Sequence, residues 1–289
     1  NYYLSYPIKK SDKRKLRWID APLGELKELQ YKILYKFLYN FNTHPAAVGF
    51  KIGTSVKESA KTHLGNEVIL TMDISNFFNS IKIPTVFRLV AALSNRLLDK
   101  LKVDRSKLTN SDLNQLHAEH HIITHLLCFK GQVPQGAPTS PALANLVARR
   151  LDTVLAKYSK DQGMTYTRYA DDLTFSHPDK TYDIGKNVKV VEKVIKEANL
   201  NTNYKKTRIL RPHRRMLVTG VVINDKLGVP KYKWRNLRAR IHNLNKNGSS
   251  ISLKEYQQIR GYCEWVRNLN PHRGTQLIQE LGKIPLLNS

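Results

Sequence analysis

The chain is expected to fold as an α+β protein, a sheet with helices on one face. Two observations predict this. Short β-prone runs carry acids at their ends: Val68-Ile69-Leu70-Thr71-Met72 stops at Asp73, and Thr165-Tyr166-Thr167 and Leu173-Thr174-Phe175 flank Tyr169-Ala170-Asp171-Asp172. Between these runs, apolar residues recur at three- and four-residue spacing, as on amphipathic helices. At 289 residues with 41% hydrophobic content, the chain can build one large or two to three small subdomains with real cores.

The elements follow in order. Residues 7–22 read as a basic, hairpin-like segment with Lys9, Lys10, Lys13, Arg14, Lys15 and Arg17, relieved by Asp12 and Asp20. Leu26, Leu29, Ile33, Phe37 and Leu38 give residues 26–41 a helical core face. Residues 49–65 are mixed. The run 68–72 reads as a buried strand, and residues 87–101 and 114–129 as helices. Breakers crowd residues 131–141, after which Ser140 as N-cap and Pro141 at the first helical position open one helix through Tyr158. The sequence predicts a hairpin over 166–175, a helix over 187–198, a β-prone run over 216–223, and helical, basic text from Pro230 onward.

Charge narrows the partners. Lys plus Arg total 48 against 23 for Asp plus Glu, a net charge of +25. Such an excess predicts a polyanionic partner, nucleic acid before membrane. No apolar stretch approaches the roughly 18 residues of a membrane span, and no signal peptide is visible, so a cytoplasmic protein is expected. Cys128 and Cys263 are too few for a disulfide framework and are read as reduced thiols. The chain begins at Asn1 without a methionine, which leaves room for missing N-terminal residues.

The acids carry the chemistry. Adjacent aspartates repel, and an isolated Asp-Asp pair is usually a solvated turn. Asp73, at the end of another apolar run, changes that reading. Three carboxylates on two neighbouring strands suit a two-metal phosphoryl-transfer site, in which two divalent ions about 4 Å apart clamp the attacking and leaving oxygens. Oxygen ligands favour Mg²⁺, two ions here. Asp73 and Asp171 would bridge them, with Asp172 more peripheral.

Asp73-Ile74-Ser75-Asn76-Phe77-Phe78, then Gly131-Gln132-Val133-Pro134-Gln135-Gly136-Ala137-Pro138-Thr139-Ser140-Pro141, then Tyr169-Ala170-Asp171-Asp172 resemble, in order and spacing, the catalytic motifs of reverse transcriptases. The resemblance covers almost the whole chain. It implies a right-hand polymerase fold with fingers (1–66 and 86–130), palm (67–85 and 131–222) and a helical basic thumb (223–289), copying RNA into DNA from deoxynucleoside triphosphates. Val218-Thr219-Gly220 resembles the Val-Thr-Gly motif of retron reverse transcriptases, and Ser59-Ala60-Lys61-Thr62-His63 is similar to their Asn-Ala-x-x-His motif, departing at Ser59. A chain without a long C-terminal extension also fits that group better than intron-encoded maturases. The retron family copies part of a cognate structured RNA into a branched multicopy DNA, primes from a 2′-hydroxyl, and commonly acts in defence against phage. A defence effector protein is then a further candidate partner.

The same resemblance assigns further residues. Ile74 falls with Asp73 at the metal and substrate. Phe78 matches a steric gate that collides with a ribose 2′-hydroxyl. Gln135 would lie along the incoming nucleotide, and Gly136 would let backbone approach it. Arg17 matches a fingers arginine that holds the triphosphate, with Lys10 as its partner; guanidinium forks suit phosphate oxygens. Lys206 matches a proton donor to the leaving pyrophosphate, with Lys205 beside it.

Val218, Thr219, Gly220 and His63 are expected at the RNA. So are Arg235, Arg238 and Arg240, on a helix whose apolar face is Trp234, Leu237, Ile241 and Leu244. His117, His121 and His125 with Cys128 have zinc-like spacing, but Glu119 and His120 interrupt it and the row is read as packing or surface. Two other readings stand beside an active retron enzyme: an RNA-binding defence scaffold, and another bacterial reverse transcriptase of maturase or abortive-infection type. Intact acids argue against the first, the Val-Thr-Gly motif against the second.

Overall fold

The computed structural model describes residues 2–9 and 16–287. They divide into two compact units, one of Asn1–Gly53, Leu70–Phe175 and Asp183–Arg208, the other of Thr54–Ile69, Ser176–Tyr182 and Ile209–Ser289. In chain order the elements are β1 (Tyr3–Lys9), β2 (Leu16–Pro22), α1 (Gly24–Lys36), α2 (Val56–Thr62), β3 (Val68–Asp73), α3 (Phe77–Ser80), α4 (Ile83–Lys100) and α5 (Asn110–Leu127). Then come α6 (Ser140–Val147), α7 (Arg149–Asp161), β4 (Thr165–Tyr169), β5 (Asp172–His177), α8 (Asn187–Glu197), β6 (Arg208–Leu210), β7 (Leu217–Val218), β8 (Val221–Val222), α9 (Lys231–Lys246), α10 (Leu253–Leu269) and α11 (Pro271–Leu281).

The central sheet runs in the order β4-β5-β3-β6. Strand β3 sits inside it, and its almost unbroken burial explains why Val68 to Met72 read as a continuous apolar run rather than an alternating one. Strands β3 and β5 are neighbours, and the bond from the Ile74 N–H to the Asp171 carbonyl sets the C-terminal end of β3, with Asp73, beside the start of β5, with Asp172.

In the first unit, β1 and β2 pair antiparallel from Tyr3↔Pro22 to Lys9↔Leu16. The loop between them, with Lys10, lies outside the described residues. Asp20 N–H donates to the Gln135 carbonyl at 2.8 Å, tying this hairpin to the breaker-rich loop. Helix α1 stops at Lys36, short of the expected 41, because Phe37 leaves helical geometry and the Asn40 amide donates to the freed Lys36 carbonyl at 2.6 Å. Helix α4 begins at Ile83, four residues earlier than expected, with Pro84 in its first turn.

The single helix expected from Ser140 to Tyr158 is two, α6 and α7, which meet at Ala148. Ser140 is not the cap. Thr139 precedes the helix, and the Ser140 hydroxyl instead donates to the Pro134 carbonyl at 2.6 Å, fastening the loop to the helix start.

Among the described residues of the second unit are two apolar clusters. One joins Ala60 of α2 and Ile69 to Met216, Val218, Val221 and Ile223; it is why residues 54–69 group here, although the sequence division spread them over fingers and palm. The other lies among α9, α10 and α11, with Ile241, Ile259, Cys263, Val266, Leu277 and Leu281 at its centre. Helix α2 went unread in the mixed stretch, yet Ser55 caps it, accepting from the Glu58 N–H: a Ser-x-x-Glu start signal present in the sequence. Among the described residues no helix is long and apolar enough to cross a membrane.

Candidate active site

The acids meet on the floor of one cleft of about 830 Å³ in the first unit. Asp73 is nearly fully buried at the end of β3. Ala170 and Asp171 form the tip of the β4–β5 hairpin, and Asp172 opens β5. Ala170 has φ +56°, a left-handed conformation that alanine seldom adopts. The Asp171 carbonyl accepts from the Ile74 N–H at 2.9 Å, which pins the hairpin tip to the end of β3.

The charges here strain one another. Burial is the main cause that raises the Asp171 carboxyl above its ordinary range; the Asp73 charge adds to it, and Lys206 and Arg17 oppose it. Asp172 is pushed up to about 6, first by burial and then by the charges of Asp171 and Asp73. Asp172 is exposed by area along its cleft edge, but its carboxylate has protein around it, and the local packing governs the shift. Lys206 Nζ pairs with Asp73, and Asn203 Nδ2 donates to Asp73 Oδ1 at 2.9 Å. Burial lowers the Lys206 pKa, but the Asp73 bond and the three carboxylate charges outweigh that and hold it raised. Of Lys205 and Lys206, the second is therefore the lysine at the acids.

Among the described residues, no three His, Cys, Asp or Glu side chains close into a ready-made metal cage. An open set of hard carboxylate donors without thiol or imidazole suits a divalent cation that completes its shell with water and substrate oxygens. Burial, and after it the neighbouring carboxylate charges, raise Asp171 and Asp172, and a bound cation would offset both costs of keeping them ionised.

Other expected residues surround this floor. Arg17 (on β2), Ile74, Phe78, Gln135 and Gly136 all line the cleft. Phe78 is half-buried, its ring 5.7 Å from Phe77 and 6.4 Å from Phe50. Gly136 has φ +136°, and a Cβ there would stand 2.9 Å from the Asp20 carbonyl oxygen and 2.8 Å from Ile19. Its bare backbone is thus required by close packing against β2.

Tyr169, first residue of the Tyr-Ala-Asp-Asp motif, lines the cleft too, as do Lys9, Phe50 and Asn203, which were not singled out from sequence. Lys9 stood in the basic run and Asn203 three residues before Lys206, but neither belongs to a motif.

The residues expected at the RNA divide. Arg235, Arg238 and Arg240 are exposed along α9, and Arg240 is paired with Glu255 at 2.7 Å. His63 and Val218 are corrections. His63 has no exposed surface; its Nδ1 lies 2.7 Å from Ser176 Oγ, and burial pushes its pKa down to about 4. It is a neutral core imidazole and does not face solvent. Val218 is buried in the cluster with Met216 and Val221. Thr219 and Gly220, both at positive φ (+49° and +84°), form the two-residue turn between β7 and β8, as a type I′ hairpin requires. The Val-Thr-Gly motif thus builds a core strand and its tight turn. The histidine row packs around Phe87, whose ring lies 4.5 Å from His121 and 5.4 Å from His117.

Comparison with known proteins places this geometry. A family model described as reverse transcriptase (RNA-dependent DNA polymerase) matches residues 8–223. The retron Ec86 reverse transcriptase of Escherichia coli is 32% identical over 98% of this chain and 81% of its own length. The retron Mx65 and Mx162 reverse transcriptases of Myxococcus xanthus are 33% and 30% identical over 96% and 98% of this chain. The chain spans 63% and 61% of those two relatives, less than two thirds of either.

Among solved structures, apo telomerase of Candida tropicalis superposes with a TM-score of 0.55 at 12% identity, over 98% of this chain and 59% of that one. Telomerase of Candida albicans in complex with a fragment of telomeric RNA gives 0.53 at 12% identity, over 96% and 56%. At such identity the likeness establishes the fold alone, that of a right-hand polymerase. With the family match across most of its length and these retron relatives beside it, the chain belongs to the reverse transcriptases, the RNA-directed DNA polymerases, and among them to the retron enzymes.

Proposed function

We propose that this chain copies part of a cognate structured RNA into a branched, multicopy single-stranded DNA, using deoxynucleoside triphosphates and two Mg²⁺ ions held by Asp73, Asp171 and Asp172 with Ile74. The observation that carries the reading is the convergence of those three carboxylates on one cleft with Lys206 and Arg17 at its edge. When bound, the ions would supply charge stabilisation to the attacking and leaving oxygens.

The protein's own residues do the remainder. The Arg17 guanidinium holds triphosphate oxygens from β2, a flank it shares with Lys9; Lys10, proposed as its partner, lies outside the described residues. Lys206, kept protonated by the acids around it, releases Asp73 and delivers its proton to the departing pyrophosphate. The Phe78 ring excludes a ribose 2′-hydroxyl, and Gln135 and Gly136 form the wall along which the incoming sugar lies.

The RNA is gripped by the exposed arginines of α9, in a thumb of residues 223–289, with Thr219 and Gly220 at its base. Fingers of 1–66 and 86–130 and a palm of 67–85 and 131–222 complete the division. Phosphate contacts give affinity with little sequence information, so selection of the cognate RNA falls on its loops and shape. Phage defence, with an effector protein as partner, rests on the resemblance to retron enzymes. A cytoplasmic setting is supported by two free, buried cysteines.

The test is to purify the protein from its host and sequence the nucleic acid that comes with it. The expected finding is one structured RNA joined through a 2′-hydroxyl to a short DNA complementary to part of it. Unbranched DNA or a random RNA population would reject the retron-type product.

A further inference from the structure

Arg168 is the largest fully buried side chain described, and it sits one residue before the Tyr-Ala-Asp-Asp hairpin tip. Its guanidinium is engaged on every side. Nε and Nη2 donate to the two carboxylate oxygens of Asp152 at 2.8 and 2.7 Å. Nη1 donates to Asn145 Oδ1 at 3.1 Å and to the Ala170 carbonyl at 2.9 Å. The partners are themselves fixed. Tyr166 donates to Asp152 Oδ1 at 2.9 Å, and Asn145 Nδ2 donates to the Gly49 carbonyl at 2.8 Å. The main chain of Arg168 is bracketed as well, by the Ala46 carbonyl at 2.7 Å and the Val48 N–H at 2.9 Å.

These bonds converge on Ala170. Its left-handed backbone is a conformation that a non-glycine residue keeps only when its surroundings over-determine it. One restraint is the Arg168 bond to its carbonyl. The other is Gly49, where a Cβ would come 2.9 Å from the Ala170 nitrogen, so the backbone of the 46–49 segment presses directly on the turn. A buried ion pair is a poor device for stability, since apolar replacements often serve as well. An apolar side chain could not hold the Ala170 carbonyl.

We infer that Arg168 is a positioning residue for polymerisation: locked by Asp152 and Asn145, it holds the Ala170 carbonyl and thereby sets where the Asp171 and Asp172 carboxylates stand. The inference rests on the reading of those acids as the polymerising site. Its signature is a loss of turnover and of local order at the hairpin tip without loss of the fold.

The test compares native protein with Arg168→Lys. Lysine keeps a positive charge against Asp152, so no buried carboxylate is stranded, but one ammonium cannot span Asp152 and the Ala170 carbonyl together. Three quantities are measured: thermal midpoint, amide hydrogen exchange across residues 165–175, and kcat and KM on a primed RNA template. The expected result is a folded protein with faster exchange at the tip, little change in KM, and kcat lower by about 100-fold, the scale of loss for reacting groups misplaced by about 1 Å. Native kcat, or native exchange at the tip whatever the kcat, would overturn the inference.

Should Arg168→Lys fail to fold, Asn145→Ala decides by the same readouts, because it unlocks the guanidinium and leaves both of its bonds to Asp152 in place. Asp171→Asn is assayed in parallel. If it extends primers like the native protein, the reading of the acids fails; if it is inactive while Arg168→Lys is native, only the inference fails.

Discussion

At the scale of single residues, the site is costly to keep ionised. Asp172 titrates near 6 when folded, above its ordinary value of 3.8. Between those pH values the folded protein binds more protons than the unfolded chain, so stability falls as pH rises through that window. Asp172→Asn removes this cost and should raise the metal-free melting midpoint at pH 7.5 by about 2 °C, corresponding to about 1 kcal/mol once solvent screening of a cleft-facing carboxylate is counted. The gain should vanish toward pH 4. His63 acts with the opposite sign, because its pKa is pushed down to about 4: its contribution is complete above the ordinary histidine value and is lost as pH falls to 4. It is common to both proteins and cancels in the difference. A midpoint gap that persists or widens toward pH 4 would contradict the account.

The acids were legible in the sequence because two are adjacent and the third ends an apolar run. Asp152 and Arg168 were not. They stand 16 positions apart, on α7 and β4, and charged residues in a basic chain read as solvated until the fold buries both. His63 and Val218 were misread because a motif matched by resemblance does not say whether its side chains face out or in.

At the scale of elements, periodicity carried most of the fold. It located α1, α4, α5, α8 and the β4–β5 hairpin, but not the break at Ala148, where apolar spacing continues in phase from α6 into α7. The α10–α11 pair shows another constraint that composition hides. A Cβ on Gly274 would stand 2.2 Å from the Arg267 Cα, so the two helices touch backbone to backbone. Gly274→Ala must force them apart, and a destabilisation of about 2–3 kcal/mol is expected, the upper range for overpacking. Thermal melting checks this; a midpoint equal to native would mean that the helices do not cross as closely as described.

At the scale of the whole molecule, a net charge of +25 sets the response to salt. Replacing Arg235, Arg238 and Arg240 with Ala should weaken RNA binding and reduce the slope of log affinity against log salt by about 2, less than three because Arg240 is already paired with Glu255. At high enzyme concentration the same variant should still extend a generic primed template. An unchanged slope would move the RNA grip to other basic surfaces.

The central claim is that Asp73, Asp171 and Asp172 form one polymerising site in a reverse-transcriptase fold. The measurement that tests it most directly is DNA synthesis by Asp171→Asn on a primed RNA template, run beside RNA binding. The asparagine keeps the shape and removes the charge. The account predicts loss of extension with RNA affinity close to native. Extension near the native rate would contradict it.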